Sequence, residues 1–299
     1  MKKLLVAPLL ALALALSPAL ASSAWAHSVW VNAFESFAHP PGHALVSVAF
    51  GHKLPMDDLL TGAHGTLYLD KYELVDPAGK HFDLPMPDYA LDTKSLGDAL
   101  AVSHGDIGAN RIEFGPESLK GTYVVNVETV PTYVCKYVNT KGKPAFSQKP
   151  LDQVDDIKNV EFAVKYYAYS KGMFSYMESG VPEPLGHDLE INPKVDVAKL
   201  HAGDLLPLEV TFLGKPLSTQ GSDIVYITAT SNTFGGPDNF MLMSYLMGGK
   251  ARFRLPTSGQ WLISLYFMRS VEKCPELADL KGKTHMACYA ASLTLEVKP

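Results

Sequence analysis

Positive charge is scarce in this sequence, and the shortage argues against one class of partner. The 299 residues carry 26 Lys and Arg against 31 Asp and Glu, which gives a formal net charge of -5 with histidine neutral. Proteins that bind nucleic acid rely on a positive surface that neutralises phosphates. We therefore expect no nucleic-acid partner and no attraction to an anionic membrane surface.

Long apolar runs are also missing, except at the start of the chain. Lys2 and Lys3 precede the run LLVAPLLALALAL, which ends at Ser17 and Pro18. This layout is typical of a secretory signal peptide and is too short for a membrane helix. The small-x-small rule allows cleavage after residue 21 or after residue 26. The second position is favoured, because the strand-like pattern HSVWVNAF begins there. We predict a signal peptide over 1–26, a periplasmic protein and no membrane span.

Cysteine is limited to three residues, an odd number. Cys274 and Cys288 flank a segment that resembles a hairpin connection. In an oxidising compartment this arrangement predicts a disulfide, which contributes roughly 3 kcal/mol by closing a loop. Cys135 is left over, and a buried apolar role, thiolate ligation and a redox role all remain open for it.

Recognised catalytic motifs are absent. The sequence contains no G-x-S-x-G, no H-E-x-x-H, no P-loop and no dinucleotide fingerprint. No nucleophile stands at a recognisable spacing from a base. We therefore expect a protein that is not an enzyme.

Alternating and β-branched segments occur throughout the remaining chain, for example HALVSVAFG, GTYVVNVETV and QWLISLYFM. Turn sequences such as DPAGK and PTSGQ separate them. This pattern predicts an all-β protein of two tandem immunoglobulin-like antiparallel β-sandwiches. The proline-containing segment GVPEPLGH at 180–187 is typical of a linker, so we place the domains at 27–185 and 186–299.

A metal site is predicted at His27. Cleavage before this residue would place a free amine and an imidazole on the same residue, where together they close a chelate ring. Borderline ions such as Ni²⁺, Co²⁺, Cu²⁺ and Zn²⁺ prefer such nitrogen ligands. The reference pKa of an α-amino group is about 7.7–8.0, so the amine is readily deprotonated near neutral pH when a metal binds.

Two further histidines are candidate ligands. His52 follows a predicted strand in FGHKLPMDD, a segment in which Asp57 and Asp58 come within reach if the chain turns. His285 lies just before the last predicted strand. A solvated loop histidine is the alternative interpretation in both cases.

Other candidates are weaker. His39 and His43 are four residues apart, but Pro40, Pro41 and Gly42 exclude the helix that would align them. His64, His81 and His104 lie near turns and are expected on the surface. Met241 and Met243 share a strand face, where methionine either fills a core or binds Cu(I). The core interpretation is favoured.

Several segments together resemble a known family. They are AHSVWV, FGHKLP, ELVDPAGK, LGHDLEINP, LHAGDLLPLEVTFLGKPL, SGQWLISL and ASLTLEV. The chain resembles a domain-of-unknown-function family that is described as the periplasmic component of cobalt/nickel uptake systems. The resemblance implies the metal ligands His27, His52 and, more loosely, His285.

The resemblance and the histidines lead to one expected function. We expect a periplasmic accessory protein that captures Ni²⁺ or Co²⁺ and delivers it to the subunits of a membrane uptake transporter. Copper bound by a terminal-histidine brace, in an oxidase, a monooxygenase or a carrier, is the alternative. A metal-free adhesion or scaffold module is a third possibility.

Overall fold

The computed structural model describes residues 27–62, 65–218, 224–234 and 240–299. The predicted signal peptide at 1–26 lies outside these residues. In chain order the strands are β1 (Ser28–Ser36), β2 (His43–Gly51), β3 (Thr61–Gly62), β4 (Gly65–Thr66), β5 (Leu69–Val75), β6 (His81–Asp83), β7 (Leu91–Ser95), β8 (Ala101–Gly105), β9 (Asn110–Glu113), β10 (Gly121–Thr129), β11 (Thr132–Asn139), β12 (Pro144–Ser147), β13 (Ile157–Tyr176), β14 (Leu189–Pro193), β15 (Leu205–Phe212), β16 (Lys215–Pro216), β17 (Tyr226–Ser231), β18 (Leu242–Tyr245), β19 (Lys250–Arg254), β20 (Gly259–Ser270) and β21 (Met286–Val297).

Short 3₁₀ helices connect some of these strands, at Leu151–Gln153, Val197–Lys199 and Pro275–Leu280. Across the described ranges, no helix has the length and apolar character needed to cross a membrane. The all-β class predicted from the alternating patterns is confirmed.

One ten-stranded sheet dominates the molecule. Its main path is β18-β17-β20-β21-β13-β10-β5-β6, and β11 and β12 extend it beside β13. β13 pairs in parallel with β21, whereas the other strand pairs of this sheet are antiparallel. Both central strands are buried on both faces over most of their length, as their apolar sequences require.

A smaller sheet of order β1-β2-β9 packs on this large sheet. The hydroxyls of Ser170 and Ser292 each donate a 2.9 Å hydrogen bond to the carbonyl of Val29 in β1. At Gly172 an added Cβ would lie 2.7 Å from Val31, so only glycine permits this close approach. Small residues of β13 and β21 therefore fix β1, and with it the start of the described chain.

Two large apolar clusters lie on opposite faces of the ten-stranded sheet. One is built mainly from residues after 186 and includes Trp261 and Leu293, and the other is built mainly from residues before 177 and includes Val46 and Val125. The clusters thus resemble the predicted domains, but β21 lies beside β13 and joins the two halves in one sheet. The boundary between 185 and 186 stays a prediction.

The predicted disulfide between Cys274 and Cys288 is wrong, because both residues are free cysteines. Cys288 belongs to β21 and packs in the cluster that contains Val46, whereas Cys274 packs against the cluster that contains Trp261. The two residues therefore pack in different apolar clusters. Cys135, which is 1% exposed, is also free and packs with Tyr137 and Ala163 in a small apolar cluster.

Candidate metal centre

Antiparallel pairing of β1 and β2 brings His27 and His52 together. Ser28 is opposite Gly51 in the register, so the next residues outward on the two strands are His27 and His52. Their ring centroids are 4.4 Å apart, with an angle of 48° between the ring planes. Two of the three predicted ligands thus share one site, while metal ligation itself stays a prediction.

The His27 ring is held on two sides. Its Nε2 lies 2.7 Å from Oδ2 of Asp58, and the ring stacks on Phe50 at a centroid distance of 4.7 Å. Since a carboxylate accepts hydrogen bonds, Nε2 is the nitrogen that carries hydrogen in this contact, which leaves Nδ1 with a free lone pair. Ligating histidines in metal sites are commonly oriented by a carboxylate in this way.

The chain turns directly after β2 because of Asp57 and Gly51. Oδ1 of Asp57 accepts hydrogen bonds from the backbone amides of His52, at 2.5 Å, and Lys53, at 3.1 Å. Gly51 has φ +126°, and a Cβ on it would lie 1.9 Å from Oδ1 of Asp57. Only glycine therefore allows this turn, which presents the ring of His52 beside His27.

Asp57 also sets the local charge. Partial burial raises the pKa of its carboxyl. The hydrogen bonds from the amides of His52 and Lys53, together with the rings of His52 and His27, lower the pKa by more than burial raises it, so it lies below its ordinary value. Oδ2 of Asp57 is 3.7 Å from Nδ1 of His52, which is too long for a direct hydrogen bond. This negative charge lies beside the histidine pair and favours a cation there.

Side chains of β1 hold down the loop that carries His52. Nε1 of Trp30 and Nδ2 of Asn32 both donate to the carbonyl of Pro55, at 3.1 and 3.0 Å. Trp30 is fully buried, and Gln260 in turn donates to Oδ1 of Asn32 at 2.9 Å. The backbone of the site is therefore fixed to the core, while the two imidazoles remain partly exposed, at 37% for His27 and 39% for His52.

The third predicted ligand is placed elsewhere. His285 is exposed and immediately precedes β21, seven residues before Ser292. Ser292 hydrogen-bonds to Val29, two residues from His27. At a strand rise of about 3.3 Å per residue, roughly 20 Å of strand separates His285 from this point. The structure does not bring His285 to the histidine pair.

The weaker histidine candidates also lie apart from the pair. His39 and His43 lie at the opposite end of the β1–β2 hairpin, where the amide of Gly42 donates to the carbonyl of His39. His81 is exposed, with Nδ1 3.3 Å from Oε2 of Glu73, and His104 is exposed on β8. His64 lies outside the described residues.

The preferred interpretation of the strand methionines as core residues is wrong. Met241 is 44% exposed and Met243 is 54% exposed. β18 is an edge strand whose exposed face carries Met243 and Tyr245. Alternation identifies which side chains share a face, but it does not show which face is covered.

Sequence reasoning missed a groove beside the histidines. His27 and Asp58 line part of an open groove of about 2270 Å³, whose walls include aromatic and sulfur-containing side chains of β13, β20 and β21. Oη of Tyr266 lies 2.5 Å from Oγ of Ser28, which ties the groove to the start of β1. These strands are distant in sequence, so no local signal indicates the groove.

A buried polar network around His187 was missed as well. Nε2 of His187 is 2.8 Å from Oδ1 of Asn126, and Nζ of Lys171 is 2.7 Å from Oε1 of Glu190. Glu190 also accepts a 2.7 Å hydrogen bond from the backbone amide of Leu185. This network explains the LGHDLEINP segment as a structural element that anchors the chain between the two halves.

The histidine pair offers nitrogen donors beside carboxylates. Within the described ranges, no group of three or more His, Cys, Asp and Glu side chains is placed to hold a metal ion. Side chains alone therefore do not complete a centre in this arrangement. A further donor atom is required if His27 and His52 are to hold a metal.

Comparison with known proteins gives a family but no activity. No curated protein matches the chain. The profile of one family, described as Domain of unknown function (DUF4198), matches residues 24–269. The match covers most of the chain, including His27, His52 and most of the ten-stranded sheet. The protein therefore belongs to the DUF4198 family of domains of unknown function.

Proposed function

We propose that this protein, after removal of residues 1–26, binds a divalent transition-metal ion in the periplasm through His27 and His52. The observation that carries the proposal is the contact of the two rings at 4.4 Å at the paired ends of β1 and β2. The new amino terminus of His27 supplies the further donor that the side chains lack.

The donor atoms follow from the hydrogen bonds. Nε2 of His27 is engaged with Asp58, so Nδ1 is available to close a chelate ring with the terminal amine. Nδ1 of His52 faces Asp57, which leaves Nε2 of His52 for the metal. Three nitrogen donors of this kind suit Ni²⁺, Co²⁺ and Cu²⁺ better than Mg²⁺ or Ca²⁺, which prefer oxygen.

The ion is proposed as cargo. The site lies at the protein surface, and three protein donors leave coordination positions open, so an acceptor can displace the protein ligands. We propose Ni²⁺ or Co²⁺ as the cargo and a membrane uptake transporter as the acceptor. Support for this part comes from the family resemblance in the sequence, and the histidine geometry is compatible with it.

Copper is the second candidate, favoured by the all-nitrogen donor set. Tetragonal nitrogen coordination suits Cu²⁺, which binds more tightly than the other first-row divalent ions to almost any such site. A carrier and an oxygen-activating enzyme differ in reactivity. If the protein is an oxygen-activating enzyme, its copper-loaded form consumes oxygen in the presence of ascorbate faster than free copper does. A copper carrier does not.

Calorimetry on two mature chains tests the proposal. One chain begins at His27, and the matched control begins at Ala26, which keeps both rings but moves the amine by one residue. We expect Ni²⁺, Co²⁺ or Cu²⁺ to bind the first chain with micromolar or tighter affinity and the second at least tenfold more weakly.

Two substitutions complete this test. His52→Ala should weaken binding at least tenfold, whereas His285→Ala should leave it unchanged. If none of these ions binds, or if both chains and His52→Ala bind equally well, the site is not at His27 and His52. A metal-free adhesion or scaffold role would then be favoured.

A further inference from the structure

Three sulfur-bearing side chains lie on one patch of the groove floor. Cys288 of β21 is directly opposite Met268 of β20, and Met286 is two residues before Cys288 on the same strand. Alternation places all three on the same face of the sheet, where they pack with one apolar cluster and line the groove. Tyr166 of β13 is opposite Cys288 on the other side.

These positions bring the sulfur atoms within reach of one another. Directly opposite residues of antiparallel strands have Cβ atoms about 4.5–5.5 Å apart, and residues i and i+2 are about 6.6 Å apart along a strand. Methionine has three rotatable side-chain bonds, so both thioethers can turn toward the cysteine. The thiol is 5% exposed, while Met268 and Met286 are partly exposed to the groove.

An independent observation points to a ligand at this patch. The hydroxyl of Tyr166 is buried and is the one buried side-chain polar atom within the described ranges that has no hydrogen-bond partner. Buried hydroxyls nearly always have a partner, so an unpaired one calls for an explanation. A negatively charged sulfur on the neighbouring Cys288 would accept a hydrogen bond from it.

We propose that Met268, Met286 and Cys288 form a binding site for a soft monovalent metal ion, Cu⁺ or Ag⁺, separate from the histidine pair. Thiolate and thioether sulfur are the ligands that Cu⁺ prefers. On binding, the Cys288 S–H bond breaks, an S–metal bond forms, and the proton leaves to solvent. No electron is transferred.

Charge and burial select a monovalent ion. A single thiolate with a single monovalent cation is a neutral pair, which an apolar surface accepts, whereas a divalent ion would leave a net positive charge there. Burial raises the pKa of Cys288 to about 12, so the free thiol is protonated at neutral pH. Only an ion with high affinity for sulfur displaces that proton.

Titration of the mature protein with Ag⁺, a redox-inert probe for Cu⁺, tests the site. We expect one Ag⁺ to bind with release of one proton, measured by calorimetry in buffers of different ionisation enthalpy. Met268→Leu/Met286→Leu conserves side-chain volume and should weaken Ag⁺ binding at least tenfold. Cys288→Ala should weaken it similarly and abolish the proton release.

Matched controls use the same residue types elsewhere. Met243→Leu alters an exposed strand methionine, and Cys135→Ala alters a cysteine that is also buried. Both should bind Ag⁺ as the wild type does, and so should His27→Ala/His52→Ala, which separates this site from the proposed divalent centre. Tyr166→Phe, which removes only the hydroxyl, should weaken binding severalfold.

Unchanged Ag⁺ affinity in the folded Met268→Leu/Met286→Leu variant would overturn the proposal. Equal losses in Met243→Leu or Cys135→Ala would do so too, since they would show binding to scattered sulfur atoms. Circular dichroism establishes that each variant is folded.

Discussion

Gly51 illustrates how one residue determines the geometry of the candidate centre. Its positive φ and the space it leaves for Asp57 allow the carboxylate to reach the amides of His52 and Lys53. Gly97 provides a close comparison, because it has the same φ of +126° but no heavy atom within 4 Å of an added Cβ. Comparison of alanine variants at these two glycines therefore distinguishes the effect of backbone strain from that of a clash with Asp57.

We predict that Gly51→Ala weakens binding of the divalent ion at least tenfold and lowers stability more than Gly97→Ala does. Both variants carry backbone strain of about 1–3 kcal/mol, but only Gly51→Ala also displaces Asp57. Thermal unfolding and calorimetric titration measure the two effects. Equal metal affinity in the two variants would contradict a role for the Asp57 turn.

His187 is a buried residue whose ionisation is linked to stability. It is 5% exposed and stacks on Tyr169 at a centroid distance of 5.2 Å. Burial and then the positive charge of Lys171 lower the pKa of His187 to about 4, and Lys71 adds to this effect. Glu190 and Glu128 act in the opposite direction but do not offset it. The neutral imidazole is therefore the form that the fold requires.

We predict that the protein loses stability as the pH falls from about 6.5 to about 4. In this window the unfolded chain binds a proton at His187 that the folded chain does not, and the difference amounts to about 3 kcal/mol. His187→Gln should flatten this part of the stability profile, measured by denaturant unfolding at several pH values.

His201→Gln, at an exposed ring that contacts the carbonyl of Lys199, is the matched control and should keep the wild-type slope. Glu190 contributes at lower pH. Burial raises its pKa, but Lys171 and the amide of Leu185 lower it below the ordinary value, so its stabilisation is lost only as the pH falls further. A slope that His187→Gln leaves unchanged would show that another group titrates.

At the scale of elements, β1 positions both histidines of the candidate centre. It begins directly after His27, and its side chains at Trp30 and Asn32 hydrogen-bond to the loop that carries His52 through the carbonyl of Pro55. Trp261 resembles Trp30 closely: both are fully buried, and Trp261 donates to the carbonyl of Thr257 at 3.0 Å. Comparison of the two tryptophans separates an effect on the loop from a general effect on the core.

We predict that Trp30→Phe weakens binding of the divalent ion severalfold, whereas Trp261→Phe does not. Each variant loses one hydrogen bond, worth about 1 kcal/mol, together with some buried volume, so both should be less stable than the wild type. Of these two tryptophans, Trp30 hydrogen-bonds to the loop at 52–58, whereas Trp261 belongs to a different apolar cluster. The expected result is weaker divalent-ion binding by Trp30→Phe than by Trp261→Phe, although the two variants lose similar stability.

Local elements of this fold could be predicted from sequence, whereas distant pairings could not. The alternating segments HSVWVNAF and HALVSVAFG became β1 and β2, and a hairpin between neighbours in the chain places His27 beside His52. The position of His285 could not be predicted in this way, because it depends on the pairing of β21 with β13, strands far apart in sequence. Periodicity carries no information on that partner.

The cysteines show the same limit. Spacing and an oxidising compartment favoured a bond between Cys274 and Cys288, but strand alternation buries Cys288 of β21 in one apolar cluster, whereas Cys274 packs against the other. Tyr166 and Met268 likewise acquire their neighbours only when three distant strands meet. The sulfur patch was therefore invisible before the fold was known.

At the scale of the whole molecule, the ten-stranded sheet links the two halves of the chain. β21 lies between β20 and β13, so it contacts a strand from each side of the predicted boundary. Val124 and Met173 of the first half also belong to the apolar cluster that is built mainly from the second half. Separation of the halves would expose both the sheet edge and this cluster.

We predict that fragments 27–185 and 186–299, expressed separately, do not fold, and that the whole mature chain unfolds in one transition. The lost β13–β21 pairing and the exposed apolar faces account for this result. Calorimetry of the chain and circular dichroism of the fragments are the measurements. Two independently folded fragments would support the division into separate domains.

The parallel pairing of β13 with β21 has a consequence for biosynthesis. β21 ends roughly 120 residues after β13 ends, so at about 5–20 residues per second the ribosome completes it roughly 6–24 s later. During that interval β13 presents an unpaired edge of the kind on which chains aggregate. We therefore expect a nascent chain of this protein to need delayed collapse or a holding chaperone until its final strand has been made.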